Sequence, residues 1–154
     1  MSTDNDSTTP NPLLGFKSAG HPYRVLIVDD SLFVVKQLSH ILGSEGFEIA
    51  GTANDGAAGV AKFKELHPNV DLVTMDITMP EMDGISALQK IMEIDRQAVV
   101  IMISALGRDD LIKTALLAGA KNFFVKPLDR TQVVERITST LKQGGMASLL
   151  WTMG

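Results

Sequence analysis

Five times between residues 24 and 142, a short apolar run is followed by a polar turn and then by a segment with apolar residues at three- and four-residue spacing. That alternation is the strongest constraint in the chain. Arg24-Val-Leu-Ile-Val28 leads into Asp29-Asp30 and Ser31, a residue suited to capping a helix; Leu32, Val35, Leu38, Ile41 and Leu42 then mark one helical face. Gly46 is placed to stop that helix. Phe47 to Ala53 reads as a second strand, Asn54-Asp55-Gly56 as a turn, and the following helix ends at His67-Pro68. Asp71 to Met75 is a third strand, followed by Asp76, a long loop through Met79-Pro80-Glu81-Met82-Asp83-Gly84 and a helix from Ile85 to about Ile94. Val99 to Ile103, the most continuous apolar run, suits a central strand covered on both faces. It is followed by Ser104-Ala-Leu-Gly107 and a helix over about 109–118. Asn122 to Val125, Lys126-Pro127 and a helix over about 129–142 complete the series.

Five such units predict an α/β fold: a five-stranded parallel sheet, doubly wound, with a helix in each return crossover. Composition fits one soluble globular domain. The chain has 154 residues, 14 basic and 18 acidic, and a chain of this length can bury roughly 70% of its unfolded surface without staples. With no cysteine, disulfides and thiolate metal sites are excluded, and a cytoplasmic location is expected. The net charge of −4, with scattered Lys and Arg, argues against direct nucleic-acid binding. No signal-peptide or membrane-spanning pattern is present. Residues 1–22 have no hydrophobic periodicity and are expected to form a disordered or loosely packed arm. Residues 23–142 form the domain and 143–154 a tail; the dozen residues after Lys142 are too few for a helix-turn-helix output domain.

In sheets of this kind, ligands sit beyond the carboxyl ends of the strands where the strand order reverses. That edge collects Asp29, Asp30, Asp76, Ser104 and Lys126. Taken singly, an Asp at a strand end is a turn or cap residue, a Lys-Pro is loop punctuation and a Ser is a local cap. Taken together they describe a site. Two carboxylates about 5 Å apart at an effective dielectric near 20 repel by roughly 3 kcal/mol, so three of them call for a cation. Oxygen donors without His or Cys favour Mg²⁺. Carboxylate, Mg²⁺, the Lys126 ammonium and the Ser104 hydroxyl together suit phosphoryl transfer, with Asp76 as nucleophile.

At these residues the chain resembles the receiver domains of two-component response regulators, most closely the stand-alone chemotaxis type, over about residues 23–142. The markers are Asp29-Asp30, the run Met75-Asp-Ile-Thr-Met-Pro-Glu-Met-Asp-Gly84, Ser104-Ala105 and Lys126-Pro127. The resemblance implies a flavodoxin-like fold. It implies Asp76 as phosphoacceptor, Asp30 as a direct and Asp29 as a water-mediated Mg²⁺ contact, and the Thr78 backbone carbonyl as a further ligand. It also implies a cis bond before Pro127, which aims Lys126. The phosphodonor would be a phosphohistidine on a sensor histidine kinase. A phosphatase and a flagellar-motor switch component, or another output protein, would be the remaining partners. Such a receiver catalyses only its own phosphorylation and dephosphorylation, and is expected to be a monomer. Two positions depart from the usual chemotaxis pattern: Phe123 stands where Tyr is common, and Ser104 replaces Thr.

Phe123 is the expected switch residue, rotating inward as Ser104 is drawn toward the phosphoryl group; the alternative reading is a permanent core residue. A phosphorelay intermediate, or a single-domain regulator of another pathway, is the alternative within this family. Outside it, a haloacid-dehalogenase-like phosphohydrolase would need an acidic residue two positions after the nucleophile, where Thr78 stands. A flavodoxin-like cofactor binder would place a phosphate against Asp29-Asp30, which would repel it. His21, His40 and His67 are read as arm, helix-surface and helix-end residues with no metal role. The eight Met residues are read as gap-filling packing.

Overall fold

The computed structural model of the chain describes residues 14–18 and 20–143. A short antiparallel hairpin, β1 (Phe16–Ser18) and β2 (His21–Pro22), precedes the repeating units. These are β3 (Arg24–Val28), α1 (Leu32–Ser44), β4 (Glu48–Ala53), α2 (Gly56–Leu66), β5 (Leu72–Asp76), α3 (Gly84–Ile94), β6 (Val100–Ser104), α4 (Asp109–Leu117), β7 (Asn122–Val125) and α5 (Arg130–Gln143). The five long strands form one parallel sheet in the order β4-β3-β5-β6-β7. The chain steps from β3 outward to β4 and then back across to β5, so the order reverses between β3 and β5. Their carboxyl ends carry Asp29-Asp30 and Asp76, which is where a doubly wound sheet leaves a crevice.

The interior strands are apolar on both sides because helices cover both faces. Every residue of β5 and β6 is buried. Leu26, Val28, Val73, Met75, Val100 and Met102 pack under α2, α3 and α4 against Phe63, Leu88, Ile91 and Ala115. Val25, Ile27, Leu72, Ile101, Ile103 and Phe124 face α1 and α5, against Leu38, Leu42, Val133 and Ile137. Side chains of this size contribute about 1.5–3 kcal/mol each when fully buried, so these two layers hold the strand ends in register. Four helices start on an acceptor that takes an orphan N–H: Ser31 from Val34, Asp55 from Ala58, Asp83 from Ser86 and Asp129 from Gln132. Asp55 is therefore a helix cap as well as a turn residue.

The amino-terminal segment differs from its expectation over residues 14–22. Gly15 donates its N–H to Glu45 O at 2.8 Å and accepts from Tyr23 N at 2.6 Å, while Tyr23 stacks on Phe47 with ring centroids 6.1 Å apart. Lys17 adds an ion pair to Asp71 at 3.1 Å. A side chain at position 15 would run into the Phe47 backbone, so only glycine allows this approach. The hairpin thus covers the end of the sheet opposite Asp76. The arm over residues 1–13 and the tail from 144 lie outside the described residues.

Candidate functional site

Main-chain pairing carries the strand ends into the crevice. Asp29 N donates to Ala53 O at 3.0 Å, extending β3 alongside β4, and Ile77 N donates to Ile103 O at 3.0 Å, extending β5 alongside β6. Asp29, only 1% exposed, accepts Ser31 N on Oδ1 at 2.8 Å, whereas its Oδ2 is buried without a hydrogen-bond partner. Asp76 is 4% exposed and Asp30 is exposed at the rim. One carboxylate oxygen from each of the three lies within 4.8 Å of the others.

Lys126 enters from the far side of the site. Its N–H donates to Ser104 O at 2.8 Å, tying the end of β7 to β6. Its Nζ stands 3.6 Å from Asp76 Oδ1 and 3.7 Å from Asp29 Oδ2. The peptide bond from Lys126 to Pro127 is cis. Burial pushes the Asp76 carboxyl up from 3.8 to about 7; the neighbouring Asp29 charge adds to this and Lys126 opposes it. Burial also raises Asp29, against the Ser31 N–H and Lys126. One ammonium does not balance three carboxylates.

The donor set fits a hard divalent cation. The buried Asp29 Oδ2 accepts no hydrogen bond, its one ion-pair partner among the described residues being Lys126 Nζ at 3.7 Å, and the three close carboxylates carry the charge such an ion would neutralise. A cleft of about 540 Å³ opens beside Asp29 and Asp30, bounded by Leu32, Val35, Asn54 and Lys62. Ser104, 1% exposed, is the last residue of β6, and its hydroxyl donates to Ala105 O at 3.1 Å. Thr78 is exposed on the loop after β5. Phe123 lies away from the carboxylates, half-buried near the start of β7. None of the three histidines belongs to this cluster; His67 instead pairs with Asp95 at 3.1 Å and packs against Phe63.

Two glycines expected only as turn and loop residues, Gly56 and Gly84, make close main-chain approaches beside the crevice. Gly84 donates to Ile77 O at 2.7 Å and opens α3 so close to the Asp76 carbonyl that a Cβ would overlap it. Gly56 approaches the Met82 carbonyl equally closely at the start of α2. A glycine directly after a capping Asp, where a helix former is expected, was the available signal in both cases. Glu81, at φ 67°, turns the loop between them in the left-handed region, an uncommon conformation for a residue with a Cβ.

A response regulator receiver domain model matches residues 25–138. The chemotaxis protein CheY of Treponema pallidum (strain Nichols) is 64% identical over 128 residues, covering 83% of this chain and 89% of that protein. CheY of Bacillus subtilis (strain 168) is 51% identical over 119 residues, covering 77% and 98%. Among solved structures, the CheX-CheY-BeF3-Mg+2 complex from Borrelia burgdorferi superposes with a TM-score of 0.81 at 54% identity, covering 84% of this chain and 98% of that one. With the crevice, the three carboxylates and Lys126 in the arrangement described, the chain belongs to the response regulator receiver domain family.

Proposed function

We propose that this chain is a stand-alone chemotaxis response regulator that takes a phosphoryl group from a histidine kinase onto Asp76 and thereby changes its affinity for an output protein. The observation that carries the reading is the Asp76 carboxylate itself. It is buried at the sheet switch point, with Lys126 Nζ 3.6 Å away and two further carboxylates beside it. An Asp76 oxygen attacks the phosphorus of a phosphohistidine, an O–P bond forms, the N–P bond breaks and the electron pair returns to the imidazole, which takes up a proton. Lys126 neutralises charge on the transferred oxygens, and the Ser104 hydroxyl leaves Ala105 O to donate to one of them. Asp30, Asp76 and the Thr78 carbonyl would hold Mg²⁺ directly and Asp29 through water; when bound, the ion supplies the remaining positive charge for phosphoryl transfer.

The resident groups do not prepare the hydrolysis of the aspartyl-phosphate. Hydrolysis needs a water oriented in line with the phosphorus. The side chains two residues beyond Asp76 and Ser104 are Thr78 and Leu106, neither an amide nor a carboxylate. A separate phosphatase is therefore a required partner, and the relative solved in complex with CheX supports the binding of a second protein by a chain of this kind. Output is a flagellar-motor switch component or another signalling protein, met by a monomer of this chain in the cytoplasm through the face formed by α4, β7 and α5. Among the described residues, no helix is long and apolar enough to cross a membrane.

The test is acetyl phosphate added with and without Mg²⁺, followed by intact mass. One phosphoryl group should appear, only with Mg²⁺, and not on Asp76→Asn. Mg²⁺-independent labelling, or labelling of the Asn variant, would overturn the assignment.

A further inference from the structure

Phe123 belongs to β7, the edge of the sheet, and its ring packs on the α2–α4 side of the core. Arg136 belongs to α5, on the opposite face beside Val133 and Ile137. The Arg136 side chain nevertheless reaches round the sheet edge to Phe123. Its guanidinium carbon lies 4.7 Å from the centroid of the Phe123 ring, and Nη1 donates to Phe123 O at 2.8 Å. The Phe123 N–H is taken by Asn122 Oδ1 at 2.8 Å, which also lies 3.5 Å from Arg136 Nη1. Asn122 and Thr140 are both buried; Asn122 Nδ2 donates to Thr140 Oγ1 at 3.0 Å, and Thr140 donates to Arg136 O at 2.5 Å. Arg136 has no carboxylate partner among the described residues. Its positive face is directed at an aromatic ring and its N–H at that ring's own main chain, a pairing that fixes both position and orientation.

We propose that Arg136 is a positioning residue that clamps Phe123 at the sheet edge in the unphosphorylated protein. The proposal rests on the assignment of Asp76 as phosphoacceptor. The ring and the Ser104 hydroxyl occupy neighbouring strands: Phe123 is paired in register with Met102, two residues before Ser104. Movement of Ser104 toward a phosphoryl group opens space beside β7 into which the ring can turn. The ring then leaves the guanidinium, while the carbonyl bond of Phe123 need not break. A contact present in only one of two states biases the equilibrium toward that state, and a phosphoryl mimic must work against the bias. The clamp therefore lowers the apparent affinity of the Asp76 site for such a mimic, at a distance and without touching it. The hydroxyl of a tyrosine is not needed for this coupling, because the guanidinium engages the ring face.

The test uses the full chain with Mg²⁺, titrated with beryllofluoride and followed by ¹⁹F NMR. Arg136→Gln should tighten binding about two- to fivefold, the lower range for losing one cation–ring contact, here between two half-buried residues and made only in the state that the mimic disfavours. In a Phe123→Leu background, which has no ring to clamp, the same substitution should change nothing. Arg136→Met keeps much of the apolar stem but carries neither charge nor planar donor group, so it should also tighten binding; it carries the test if the Gln variant does not fold. Unchanged or weaker binding, or an equal gain in both backgrounds, would overturn the clamp, because mere loss of structural support weakens the site. If wild-type protein fails to bind beryllofluoride, or binding persists in Asp76→Asn, the phosphoacceptor assignment falls and the clamp falls with it.

Discussion

Nζ of Lys126 stands 3.6 Å from Oδ1 of Asp76, closer than a solvated pair would need but too far for a hydrogen bond. The ammonium thus offsets the charge of Asp76 without anchoring the oxygen, which stays free to react. It does not cancel the burial of Asp76 beside Asp29, and a stability consequence follows.

Asp76 titrates at about 7 in the folded protein against 3.8 for the ordinary carboxyl, so between these values the folded state holds a proton that the unfolded state has released. Stability from this group is full below 3.8 and is lost as pH rises through about 7. Asp29 is raised for the same reason, so the proton belongs to the pair. Urea unfolding in EDTA should show Asp76→Asn more stable than wild type at pH 8, by about 1–3 kcal/mol, with the difference vanishing near pH 4. Mg²⁺ at pH 8 should stabilise wild type and leave the Asn variant nearly unmoved. A variant less stable than wild type at pH 8 would contradict the burial argument.

Gly84→Ala places a methyl group on the Asp76 carbonyl oxygen, against main chain that cannot rotate away. The expected loss is about 2–4 kcal/mol, with slower labelling by acetyl phosphate because Asp76 itself must shift. Thermal melts and labelling rates read the two effects; wild-type values in both would show that the close approach is not rigid.

Thr74 is fully buried in β5 and its Oγ1 has no hydrogen-bond partner. Thr74→Val removes an unsatisfied hydroxyl at nearly constant volume, and should be neutral or stabilising by up to about 1 kcal/mol. Destabilisation beyond that range in urea melts would mean that the hydroxyl has a partner.

The phosphorylated protein should decay slowly, with a half-life of minutes or longer on its own, because neither Thr78 nor Leu106 can orient the attacking water. Thr78→Asn supplies an amide there and should shorten the half-life severalfold. A wild-type half-life of a second or less would contradict this.

The five strand-helix units and the crevice residues were legible because each is local: an apolar run, then a polar residue at its carboxyl end. The observed strands end one residue later at Asp76 and Ser104 than the apolar runs do. Both residues pair in the sheet and are buried, Asp76 with its carboxylate in the acidic cluster and Ser104 with its hydroxyl on Ala105 O, and hydropathy cannot distinguish such polar strand ends from a loop. The hairpin over 16–22 was not legible, since it is held by Gly15 against the Phe47 backbone and by the Tyr23–Phe47 stack rather than by any local pattern. The same holds for Arg136 on Phe123: thirteen residues separate them, and only the turn of α5 back along β7 brings them together.

The central claim is that Asp76, and neither of its acidic neighbours, receives the phosphoryl group. Borohydride reduces an aspartyl-phosphate to homoserine and leaves an unmodified carboxylate alone. After acetyl phosphate and Mg²⁺, reduction and peptide mass analysis should find homoserine at position 76, and aspartate unchanged at 29 and 30. Homoserine at 29 or 30, or unreduced aspartate at 76 in protein that had gained a phosphoryl mass, would contradict the account.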